Sequence, residues 1–238
     1  MNLLSLDTST EFLSLALHVG DEKGCDKTFT HYQQAGNASS ELILPQIQAL
    51  LDSANVKLND LDGIAFGAGP GAFTGVRIAC GVAQGLGFGT NIPVVGVNTL
   101  LALAEASGED KVIACLDARM GEIYHAAFEK INGEWIEQSA TKVIKPEAAP
   151  VLEGGWNGVG SGWAVYGEIL SKIYAENLMK ILPHDLYYKV TPTAEAILTL
   201  AKPTFAAGNA KPASEAAPIY IRNRVALTSL EREQGQRL

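Results

Sequence analysis

Val112-Ile-Ala-Cys-Leu-Asp117, followed by the turn Ala118-Arg-Met-Gly121 and the run Glu122 to Phe128, restates a plan that opens the chain. There Leu3-Leu-Ser-Leu-Asp7 leads through Thr8-Ser-Thr10 into Phe12 to Val19. Each unit is an apolar run ending in aspartate, a short turn, and a run that alternates as a half-buried strand. Asp117 lies 110 residues after Asp7 in a chain of 238, close to half its length. The echo predicts two related halves, residues 1–108 and 109–238, each opening with a strand–aspartate–strand unit. A chain of this length suits one large domain or two lobes and can bury a sizeable core.

Between the two units lies the most unusual stretch, Gly63 to Gly89. It starts as a short apolar strand, Gly63 to Phe66, and breaks into the turn Gly67-Ala-Gly-Pro-Gly71. A helix is predicted from Phe73 or Thr74 to about Phe88, with the Thr74 hydroxyl as its cap. Between Gly75 and Phe88 only Arg77 and Gln84 are polar, and their spacing of seven puts both on one narrow face. A helix apolar nearly all round is buried on most sides. Gly81, Gly85 and Gly89 recur every four residues. Each internal glycine costs about 1 kcal/mol relative to alanine, so close approach of another backbone should offset it. Either the stripe sits on the protein's own sheet, or one side packs on the sheet and the other on a second helix, including a partner's.

Around these landmarks the chain reads as α/β. Lys27 to Tyr32 extends the first hairpin. Ser39 or Ser40 is expected to cap a helix to about Ala54, with Glu41 in its first turn. Ile43, Ile47, Leu50, Leu51 and Ala54 form its core stripe, and Leu42, Pro45, Gln46 and Ala49 a second, mildly apolar face. Pro45, if deeper than the first turn, should kink it. Pro93 to Val97 is a strand, and Asn98 or Thr99 caps a short helix ending near Gly108. In the second half, Gly133-Glu-Trp reads as a turn before a strand from Ala140 to Ile144. Asn157 onward is a strand entering a glycine turn, Tyr166 to Tyr174 a helix, and Thr191-Pro192 the start of a helix that Pro203 should disturb. Ile219-Tyr-Ile reads as a last short strand and the tail from Ser229 as frayed.

Composition is that of an ordinary globular protein, 47% apolar and 18% charged, with a net charge of -8. The acidic balance argues against an autonomous nucleic-acid binder; the densest basic spot is Arg222 and Arg224, with Arg232 beyond. Cys25, Cys80 and Cys115 are far apart, which suits a reducing compartment. With no basic leader pattern and no uninterrupted apolar run of spanning length, the chain is expected to be cytosolic and without a membrane partner.

The chemistry is sparse. Asp7 and Asp117, one per half, could hold Mg²⁺ through water as carboxylates do in phosphotransfer folds, or simply bond their own turns; Thr8 and Ser9 offer hydroxyls to a phosphate. The turn Gly67 to Gly71 fits a dinucleotide pattern only loosely and has no Walker lysine, though a helix start still attracts anions. His18, His31, His125 and His184 show no metal-binding helical spacing, and no serine sits in a nucleophile elbow.

Five motifs occur in order: Asp7-Thr-Ser, Gly69-Pro-Gly-Ala-Phe-Thr-Gly-Val-Arg77, Asp117-Ala-Arg-Met-Gly-Glu-Ile-Tyr124, Gly160-Ser-Gly-Trp163 and Pro218-Ile-Tyr-Ile-Arg222. With them nearly the whole chain resembles the TsaB (YeaZ) family of the bacterial tRNA threonylcarbamoyladenosine machinery. The resemblance implies a two-lobed actin/hexokinase/Hsp70-like, ribonuclease H-like fold, in agreement with the half-chain echo. It implies no catalytic residues and no metal site here. The catalytic paralogue TsaD carries an HxxxH metal pair, whereas His31 is followed four residues later by Ala35. Family members often carry a histidine where Ser39 and Ser40 stand, so any role for that position is in doubt. The resemblance further implies that Ser39 to Ala54 and Phe73 to Phe88 pack on the equivalent helices of TsaD. The contact would run through Leu42, Pro45, Gln46, Ala49, Phe73, Arg77, Ile78, Gly81, Val82, Gly85 and Gly89. A homodimer through the same surface, the ATPase TsaE as third partner and tRNA reached only through the complex are also implied. No cofactor is required; ATP or ADP with Mg²⁺ belongs to the partner complex alone.

The sequence is therefore identified as a member of a scaffold family, expected to stabilise TsaD and engage TsaE in modifying the adenosine next to the anticodon in tRNAs reading codons that begin with A. The rival is a nucleotide-hydrolysing or phosphotransfer enzyme of the same fold, with Asp7, Thr8, Ser9, Asp117, Arg119 and Glu122 lining its cleft. A metalloprotease ranks last, because paired ligands are absent.

Overall fold

The structure, a computed structural model, describes residues 1–20, 26–179 and 191–221. Cys25, His184, Arg222, Arg224, Arg232 and the tail from Ser229 lie outside the described residues.

The echo in the sequence is an echo in topology. The first sheet contains β1 (Asn2–Asp7), β2 (Phe12–Val19), β3 (Lys27–Gln34), β4 (Gly63–Gly69) and β5 (Val94–Asn98), in the order β3-β2-β1-β4-β5. The second contains β6 (Lys111–Arg119), β7 (Glu122–Ile131), β8 (Glu134–Ile144) and β9 (Asn157–Val159), in the order β8-β7-β6-β9. In both, the first three strands pair antiparallel and the next lies parallel to the opening strand. Asp7 pairs with Ser14 and ends β1, whereas Asp117 pairs with Ile123 and is followed by a register shift before β6 ends at Arg119. This is the two-lobed, actin-like and ribonuclease H-like arrangement expected from the motifs.

Among the described residues five helices cover the sheets: α1 (Ser39–Ala54), α2 (Phe73–Thr90), α3 (Thr99–Ser107), α4 (Ser161–Tyr174) and α5 (Ala194–Ala206). Strand alternation sends Leu13, Leu15 and Leu17 to one face of the first sheet, where they meet Ile43, Ile47 and Leu51 of α1 and Ala79 and Ala83 of α2. Leu3, Ala16 and Ala65 point the other way, onto α5. The second sheet is covered by Leu100 and Leu103 of α3 on one face and by Leu170 and Tyr174 of α4 on the other. Helices α3 and α5 pack on each other, so both lie between the sheets.

That arrangement corrects the division at residue 108 in one respect. The sheets separate there, but the helices are exchanged. Helix α3, from the first half, covers the second sheet, and α5 returns to the first. Polar bonds fix the return: Ser5 Oγ donates to the Ala194 carbonyl at 2.6 Å, and the Ala194 N–H donates to Ser14 Oγ at 2.8 Å.

Several local expectations are also corrected. Neither α1 nor α2 has a side-chain cap; Ala38 and Ala72 occupy the cap positions, and Ser39 Oγ donates instead to the Gly36 carbonyl. Asn98 does cap α3, accepting from the N–H groups of Leu100 and Leu101. Pro45 lies inside α1, which continues through it, and Pro203 lies inside α5. The exposed ring of Pro45 removes one donor from a side that water can serve. Strand β8 runs unbroken from Glu134, and α4 starts five residues before Tyr166, where its backbone breaks from helical geometry. Ile219–Ile221 forms no strand; the Ile219 N–H donates to the Ala68 carbonyl at 2.7 Å.

Candidate docking interface

Helix α2 has two glycine populations with opposite surroundings. Its inner face, Gly75, Val76, Ala79, Cys80, Ala83 and Gly87, is buried. A methyl added at Gly75 would lie 1.8 Å from the Thr8 carbonyl oxygen, and one at Gly87 would lie 2.9 Å from the Ile92 carbonyl oxygen. These two glycines are there because backbone passes where a side chain would stand. The stripe at Gly81, Gly85 and Gly89 is different: nothing lies within 4 Å of an added methyl. It does not rest on the protein's own sheet. It faces outward, in a row of residues four apart that begins with Phe73 and Arg77.

Large apolar groups share that outward side. Phe73 is 59% exposed and Phe88 78%; Leu44 of α1, also exposed, lies on the flank of α1 away from Pro45, Gln46 and Ala49. Ile78 and Val82, half-buried, pack on the core edge. On α1, Leu42 and Gln46 are half-buried, whereas Pro45 and Ala49 are exposed. The eleven residues singled out for docking thus fall on one two-helix surface or its margin. Sequence reasoning missed Phe88, which a helical wheel sets between Arg77 and Gly81 on the outward row.

The Asp7 turn is structural in its contacts. Asp7 is 1% exposed. Its Oδ2 accepts from the Ser9 N–H at 3.1 Å and Ser9 Oγ at 2.9 Å, while Oδ1 is buried without a partner. Burial pushes the Asp7 carboxyl up to about 7, against the opposing effect of the Ser9 hydrogen bonds. A methyl on Gly67 would overlap Oδ1, so the glycine turn seals one side of the carboxyl. Thr8 Oγ1 donates to the Gly75 carbonyl at 2.6 Å, and the Ala72 N–H donates to the Ser9 carbonyl at 2.7 Å. Thr99 Oγ1 donates to the Pro70 carbonyl. The polar groups of the turn therefore go into seating the start of α2.

Asp117 behaves differently from its counterpart. Its oxygens accept from the Arg119 N–H at 2.9 Å and Arg119 Nη1 at 3.0 Å, and its own N–H donates to Ser161 Oγ at 3.1 Å. Arg119 and Met120 have φ of 62° and 57°, so a left-handed turn joins β6 to β7 and presents the Arg119 side chain outward. Glu122 opens β7, half-buried. No group of three or more His, Cys, Asp or Glu stands ready to hold a metal ion among the described residues. No described helix is long and apolar enough to cross a membrane.

The sequence model of the TsaD family, described as tRNA N6-adenosine threonylcarbamoyltransferase, matches residues 30–229. The tRNA threonylcarbamoyladenosine biosynthesis protein TsaB of Escherichia coli is 35% identical over 97% of this chain and 98% of its own. The chain belongs to the TsaB (YeaZ) family. The TsaB protein of Haemophilus influenzae is 37% identical, covering 94% of this chain and 95% of its own. YeaZ from Pseudomonas aeruginosa superposes with a TM-score of 0.77 at 37% identity, over 92% of this chain and 99% of that one. A second crystal structure, of a protein with similarity to peptidase YeaZ from the same organism, gives 0.78 at 37% identity over 93% and 99%. TsaB relatives thus share both lobes with this chain, not a fragment.

Proposed function

We propose that this chain is a non-catalytic scaffold subunit in the formation of threonylcarbamoyladenosine on tRNA. It docks TsaD through α1 and α2, engages TsaE, and reaches tRNA only through the complex. The observation that carries the proposal is the bare outward stripe of α2. Two internal glycines cost the isolated helix about 2 kcal/mol, and exposed Phe73 and Phe88 add apolar surface on the same side. A second molecule laid against this face offsets both. The names of the TsaB relatives give the pathway, and the match to the TsaD family model makes a TsaD-type chain, built on the same two-helix plan, a fitting partner. The same face would pair two copies of this chain when TsaD is absent. The work is cytoplasmic, where tRNA is modified, and the chain itself needs no cofactor; ATP or ADP with Mg²⁺ enters only with the assembled complex.

The sealed, hydrogen-bonded Asp7 turn weighs against the phosphotransfer alternative. ATP turnover by the purified chain, lost in Asp7→Asn, would restore it. For the scaffold reading, threonylcarbamoyladenosine formation is measured with TsaD and TsaE in three mixtures: with this chain, without it, and with Gly85→Leu. Modification is expected only in the first. Full modification without this chain would contradict the proposal.

A further inference from the structure

The outward row of α2 ends at its N-terminus in a cluster built partly by another segment. The Arg77 guanidinium carbon lies 3.1 Å from the centre of the Phe73 ring and 5.0 Å from that of Tyr220. Arg77 Nη1 donates to the Phe73 carbonyl at 3.2 Å. Tyr220 is 57% exposed and held in place by its neighbour, since the Ile219 N–H is bonded to Ala68 at the end of β4. A segment 130 residues and more beyond α2 in sequence thus supplies one wall of the surface that α2 presents.

Arg77 is the only basic residue in α1 or α2, and it makes no ion pair with any described residue. Two aromatic rings hold the guanidinium at this end of the helix, and beyond the Nη1 bond to Phe73 its N–H groups meet no acceptor among the described residues. Covering such a group with an apolar surface would strip its water and give nothing back. A partner that covers the glycine stripe must therefore bring an acceptor to this end. Arginine and tyrosine packed beside an apolar patch are also the residue types in which binding energy concentrates.

Resting on the scaffold reading, we propose that Phe73, Arg77 and Tyr220 form the anchor of the TsaD contact. They receive a carboxylate from TsaD's matching helix pair, and Tyr220 is a docking residue supplied by the C-terminal segment. The occupant is TsaD, because the TsaD family model spans residues 30–229, which include α1, α2 and Tyr220. A TsaD-type chain thus presents the same kind of flat helical face.

The test is the affinity for TsaD, measured by surface plasmon resonance at low and high salt, of Arg77→Ala, Arg77→Lys, Tyr220→Ala and Gly85→Leu. Circular dichroism and thermal melting establish that each variant is folded. Arg77→Ala and Tyr220→Ala are expected to weaken binding about tenfold or more, and Arg77→Ala to flatten the salt dependence. Arg77→Lys should keep the salt dependence but lose part of the affinity, because lysine lacks the planar fork. If Gly85→Leu abolishes binding while the Arg77 and Tyr220 variants stay within about twofold of the parent, the anchor is refuted and the helical face stands. If Gly85→Leu also binds normally, the scaffold reading itself fails. Loss of self-association in the Arg77 and Tyr220 variants with unchanged TsaD affinity assigns the cluster to a second copy and overturns the proposal.

Discussion

At the scale of single residues, the two aspartates show how far equivalent positions can diverge. Asp7 is enclosed by Gly67 and bonded to Ser9, whereas Asp117 is bonded to an exposed arginine. In the folded chain burial holds the Asp7 proton up to about pH 7, while an unfolded carboxyl releases it near 3.8. Between those values the folded state binds more protons, so this group's contribution to stability falls as pH rises and is flat above about 7. Asp7→Asn removes the dependence. Urea denaturation should show the variant gaining about 2–4 kcal/mol on the parent between about pH 4 and 8. His125 acts in the opposite sense. Burial, with Lys142 adding to it, lowers its pKa to about 4 from 6.5, so its contribution is lost as pH falls through that interval. The position of Asp7 at a strand end was legible in the sequence. Its burial was not, because the glycine that seals it lies 60 residues away and only the β1–β4 pairing brings them together.

At the scale of elements, α2 was predicted nearly to its ends, because its spacing and flanking turn are local signals. Its cap was not. Thr74 has the right chemistry, but the Asp7–Ser9 turn already supplies the bonds that seat the helix start. Nor did the sequence separate the glycines that meet backbone from those that meet nothing. That difference is measurable. Gly75→Ala drives a methyl into the Thr8 carbonyl and should destabilise the chain by about 2–4 kcal/mol. Gly85→Ala meets open space and should stabilise the isolated chain by about 0.5–1 kcal/mol through helix propensity. Thermal melts of the two variants should therefore shift in opposite directions. A second element-level device is Asn98, whose carbonyl oxygen caps α3 while its amide donates to Thr141 Oγ1 of β8 at 2.9 Å. Asn98→Ala should cost about 1–2 kcal/mol. Asn98→Asp keeps the cap acceptor and loses the donor, so by chemical denaturation it isolates the bond between sheets and should cost less.

At the scale of the whole molecule, the repeated strand–aspartate–strand plan pointed to two sheets, each built on such a unit, but not to the order of their strands. It missed the exchange of α3 and α5, since an apolar helix pattern does not say which of two sheets it will cover. That exchange places two helices between the lobes and leaves α1 and α2 as the long helices described on the outer face of the first sheet, with Ala213 packed beside them. The largest exposed apolar side chains of α2, Phe73 and Phe88, stand on that face, beside a stripe from which side chains are missing. The central claim is that a neighbouring molecule covers it. Sedimentation velocity on mixtures with TsaD tests this most directly, comparing the parent chain with Gly85→Leu. A heterodimer with the parent and separate, folded monomers with the variant are the predicted result; an undiminished heterodimer with Gly85→Leu would contradict it.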